Sequence, residues 1–130
     1  MTWAAKYIGK PWTEKTDCAY WFCRIQREVF GRDVPGINAD HSRLAMSACR
    51  IFADPSVLEA FGVAPTDAPA DGDAVFMSQR NRPHHIGTVV IDRPGEVAVL
   101  HALEGVGVVL SDLLTLRANH WKIAGFWTWR

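Results

Sequence analysis

No stretch of the 130-residue chain is apolar for long enough to cross a bilayer, so no membrane span is expected. The opening residues, MTWAAKYIGKPW, carry Lys6 and Lys10 but lack the apolar run of a secretory signal. The expectation is a protein made in the cytosol without a Sec address. Net charge is also missing: 14 Lys plus Arg stand against 14 Asp plus Glu, with no basic stripe and no charged tail. That balance argues against a nucleic-acid partner. Cysteine is scarce. Cys18, Cys23 and Cys49 are an odd number, which speaks against a disulfide framework. Neither a C-x-x-C pair nor a paired Cys/His spacing is present, so no structural zinc site is expected. Repeats and low-complexity segments are absent too.

What is present suits one folded domain over residues 1–130, with 48% hydrophobic and 22% charged residues. Residues 2–9 read as a short helix closing at Gly9, with Pro11 beyond it. Thr16 or Asp17 then offers an N-cap for the next helix. There Cys18, Trp21, Phe22, Ile25 and Val29 form one apolar stripe, and Gly31 ends it. Residues 41–53 read as a further helix, 56–61 as a short one, and 64–73 as a turn-rich connection. After residue 72 the pattern turns to strands: AVFMS, IGTVVID, EVAVLHAL, VGVVLS and KIAGFWTW. Helices followed by strands predict an α+β domain, N-terminal helices on a C-terminal antiparallel sheet.

The chemistry starts at Cys18. The first turn of a helix exposes unpaired N–H groups and the positive end of the macrodipole. A thiol there is expected to ionise below its free value of about 8.5. Facing a sheet, such a nucleophile needs a base from that sheet. His84 and His85 stand at the mouth of HIGTVVI, and His101 lies within AVLHAL. If Arg93-Pro94-Gly95 is the hairpin loop, Gly87 faces His101 and His85 lies diagonal to His101 on one face. A two-residue loop would put the two histidines on opposite faces. Cys23 and Cys49 read as packing residues, and His41 and His120 receive no role.

Four segments in order, DC opening the amphipathic helix, DGDAVFM, HIG and LHA, resemble the NlpC/P60 family of cysteine peptidases. The resemblance runs from about Trp3 to Trp129, less clearly over 37–64. It implies a small papain-like fold with Cys18 as nucleophile, His85 as base and His101 as the residue orienting it, Gly87 setting the register that selects His85 over His84. It places Trp12 where the family has a tyrosine near the substrate, and Asp17 where it has an aspartate that holds a free amine; His84, next to the base, is a further candidate substrate contact. Ala19 stands where the family often has serine. The implied reaction is hydrolysis of an amide in the peptidoglycan stem peptide, commonly between D-γ-glutamyl and the diamino acid, without cofactor. The short KPWTEKTDC loop resembles the phage and prophage tail-associated branch. That branch implies a protein made in the bacterial cytoplasm, carried on a virion tail beside tail-tip proteins, and acting at the cell wall. Two alternatives share the fold: a tail-tip assembly component with little activity, and a Cys–His acyltransferase or deamidase.

Overall fold

The computed structural model describes residues 2–34, 62–80 and 82–129, the side chains of 82–84 excepted. The expected helices at 41–53 and 56–61, with His41 and Cys49, lie outside the described residues. Helix α1 spans Cys18–Phe30. Its N-cap is Asp17, whose carboxylate accepts from the Tyr20 N–H, and Gly31 closes it in the left-handed conformation at φ 66°. The helix expected over 2–9 is a single 3-10 turn, Trp3–Lys6.

Six strands follow: β1 (Val63–Thr66), β2 (Ala74–Gln79), β3 (Arg82–Ile91), β4 (Val97–Leu103), β5 (Gly107–Asp112) and β6 (Lys122–Trp129). They form one antiparallel sheet in the order β1-β6-β2-β3-β4-β5. The molecule is therefore α+β, but the division near residue 72 is not clean. Val63–Thr66, which overlaps the connection expected over 64–73, is an edge strand on β6. Pro65 hides it in the sequence and is tolerated because an edge strand has one unpaired side. A short helix α2 (Leu113–Ala118) also interrupts the run of strands, capped by Asp112 through the Thr115 N–H. Six residues are too few to show a helical period.

The sheet is covered on both faces. On one, Cys18, Ala19, Phe22 and Cys23 of α1 pack with Val63, Ala74, Phe76 and Ile86. Further along the same helix, Trp21 and Ile25 meet Val90, Leu100, Ala102 and Val108. On the other face, Val75, Met77, Val89 and Val99 bury Leu116 of α2 and Trp121. Each fully buried Phe, Ile or Leu here contributes roughly 1.5–3 kcal/mol.

The Gly72-Asp73 turn ties α1 to the sheet. The Gly72 carbonyl accepts from Gln26 Nε2 at 2.9 Å and Arg32 Nη1 at 3.2 Å, while Asp73 accepts from the Ala70 N–H and Thr128 Oγ1. The β3–β4 hairpin has the expected register, with Thr88 opposite Leu100 and Ile91 opposite Val97. Gly95 takes the positive φ, 82°, that the three-residue loop requires.

Candidate active site

Position along the strands follows from that register. Continuing it sets Gly87 against His101 and leaves His85 diagonal to His101, and the two rings do meet. His85 Nε2 lies 2.8 Å from His101 Nδ1, both side chains buried. Gly87 makes room for them: a Cβ there would stand 2.5 Å from Val99 Cγ1 and 3.3 Å from His101 Cβ. Two residues not singled out from sequence complete the cluster. Ser111 on β5 places its Oγ 3.2 Å from His101 Nε2. Trp121 stacks on the His85 ring, centroids 4.5 Å apart and planes 25° apart, and meets His101 edge-on. Ser111 was within reach of strand parity, because His101 opposes Val109 and Ser111 lies two residues on. Trp121 sits just beyond the α2 turn, and no local pattern announced it.

Burial pushes the His101 imidazolium down to a pKa of about 4, so the ring is neutral at physiological pH. A neutral imidazole carries one ring proton, and the chain then has a direction. With His101 Nε2–H donating to Ser111 Oγ, His101 Nδ1 accepts from His85 Nε2–H. His85 Nδ1 then keeps its lone pair, the state a general base needs.

Cys18 is buried at the first turn of α1. The expected depression of its thiol does not hold. Burial pushes it up to about 11, outweighing the favourable pull of the nearby N–H groups of Ile86, Ala19 and Cys18; the Asp17 charge adds to the rise. The macrodipole acts over a turn, whereas desolvation acts on the whole charge, and here desolvation wins. Cys23 is pushed up to about 12 for the same first reason.

The sulfur packs against β3, in one cluster with Ile86. Ile86 opposes Phe76, on the face that packs with α1, while His85 opposes Met77, on the face that buries Trp121. The thiol and the imidazole therefore approach one peptide, His85–Ile86, from its two sides. The paired register of β3 with β4 stops at Thr88–Leu100, whereas β4 stays paired with β5 to Leu103–Gly107.

Trp12 and Asp17 have partners of their own. Trp12 packs half-buried on the cluster of Trp21, Leu100 and Val108. Asp17 serves as the α1 cap. The His84 side chain is outside the described residues. Among the described residues no group of three His, Cys, Asp or Glu is placed to hold a metal ion, and no helix is long and apolar enough to span a membrane. No protein-family model matches the chain, and no curated protein matches it either.

A neutral buried His101 makes stability depend on pH. Its pKa is lowered on folding, so between about 6.5 and 4 the unfolded chain takes up a proton that the folded one refuses. Stability is thus full above pH 6.5 and falls as the pH drops, by about 2 kcal/mol at pH 5 from this residue alone. Urea midpoints at neutral pH and near pH 5 should shift more in the wild type than in His101→Asn. Equal shifts would mean that His101 is not held neutral.

Proposed function

We propose that the protein is a cysteine hydrolase of papain-like, NlpC/P60-type architecture that cuts an amide in the peptidoglycan stem peptide. The observation that carries this reading is the buried 2.8 Å contact between His85 and His101, one residue along β3 from Ile86, which packs with Cys18. His85 is assigned as the base that takes the thiol proton as Cys18 attacks the amide carbon. The transfer passes around the end of β3, where its pairing with β4 has stopped, and His85 then returns the proton to the leaving amine. Water hydrolyses the resulting thioester. N–H groups at the start of α1 stabilise the oxyanion. His101 and Ser111 hold the His85 tautomer, and Trp121 holds the ring plane. With its thiol pushed up to about 11, Cys18 rests protonated and is activated only as substrate arrives. The setting is a phage or prophage tail that opens the wall.

That same protonated thiol favours a second reading, a tail-tip assembly component that keeps the fold with little activity. Trapping separates the two. Acid quenching during turnover of soluble stem peptides should reveal a protein mass raised by the acyl fragment, with the adduct on the Cys18 peptide. An unmodified Cys18 while peptides are consumed, or an adduct on Cys23, would refute the thioester route.

A further inference from the structure

Arg80 and Lys122 are exposed cations that line one groove of about 620 Å³ together with Ser78, Gln79 and His120. None of these five is a carboxylate. Neither cation makes an ion pair or a side-chain hydrogen bond among the described residues, in contrast to Arg24, which is held by Glu28 at 3.2 Å. In a chain without net charge, that is a local concentration of positive potential in a concave site. Its walls are fixed to each other, because Gln79 Nε2 donates to the Asn119 carbonyl at 2.8 Å.

The groove and the histidine cluster are neighbours along the chain. His120 and Lys122 flank Trp121, the residue stacked on His85. Ser78 opposes Lys122, and the preceding residue, Met77, opposes His85. One strand residue is about 3.3 Å, so along the backbone Ser78 is one step from the residue that opposes the base. His120 has a further feature: it sits at φ 65°, the left-handed position after α2 where glycine is the favoured residue. An imidazole there strains the backbone and lines the groove.

We propose that this groove is an anion subsite that binds a carboxylate of the peptide substrate through Arg80, Lys122 and His120. The substrate identity rests on the hydrolase reading above; the anion preference does not. Charge-assisted hydrogen bonds to a carboxylate are lost when it is replaced by a neutral amide. The subsite therefore selects stem peptides with free carboxylates over amidated ones.

The test is calorimetric titration of the Cys18→Ala protein, which cannot turn over its ligand. The ligands are the tetrapeptide L-Ala-γ-D-Glu-L-Lys-D-Ala and its fully amidated form, with glycerol phosphate as a competing anion. The acid should bind about tenfold more tightly than the amide, and the gap should narrow with added salt. It should close in Arg80→Gln/Lys122→Gln. His120→Gly, which relieves the backbone and so keeps the fold, should weaken the acid a few-fold without affecting the amide. Equal binding of acid and amide, a gap that survives the double variant, or tighter binding of glycerol phosphate than of the peptide acid would overturn the proposal. Turnover by the wild type is scored separately. A retained acid preference without turnover would sink the hydrolase reading and leave the anion subsite standing.

Discussion

Cys18→Ala is expected to remove amide hydrolysis, a loss on the order of 10⁴-fold or more in kcat/KM, while the protein still folds. Both halves of that expectation come from where the sulfur sits. Of the two described thiols it is the one with N–H groups near it from a helix start and from a strand, so Cys23 is not placed to replace it as nucleophile. Cys23 is buried in the same cluster, on the helix body, without such donors among the groups acting on it. Removing the sulfur leaves a small void beside Phe22, Phe76 and Ile86, which costs about 1 kcal/mol. Circular dichroism and a urea midpoint near the wild-type value would show that the lost activity is chemical.

His85→Ala is expected to lower kcat/KM by roughly 10²–10⁴, the usual worth of a general base. A change in the pH profile should accompany the loss. Without the base, attack requires the thiolate, and burial sets the thiol at about 11. The residual rate of the variant should therefore climb about tenfold per pH unit through the alkaline range, where the wild type is flat. A residue that only packs against Trp121 would change the size of the rate and leave its pH dependence alone.

Much of this arrangement was legible in the residues. The Cys18–Val29 stripe, the Asp17 cap and the Gly31 stop follow from local rules, and α1 has the expected bounds. The His85–His101 pairing hung on one hairpin loop. Gly95 at positive φ selected the three-residue form, and the register then placed the rings together. Other parts depend on tertiary context. Val63–Thr66 becomes a strand only because β6 offers an edge. Trp121 reaches His85 only because α2 turns the chain at His120. The Cys18 thiol is the instructive case. A helix start predicts a depressed value, and the depth of burial, set by packing among Phe22, Phe76 and Ile86, reverses the sign.

The central claim is that Cys18 cleaves wall peptides, and digestion of purified peptidoglycan with mass spectrometry of the soluble products tests it most directly. Stem fragments cut at one amide bond should be released by the wild type, and none by Cys18→Ala. An intact wall with both proteins, or the same fragments from both, would contradict the claim.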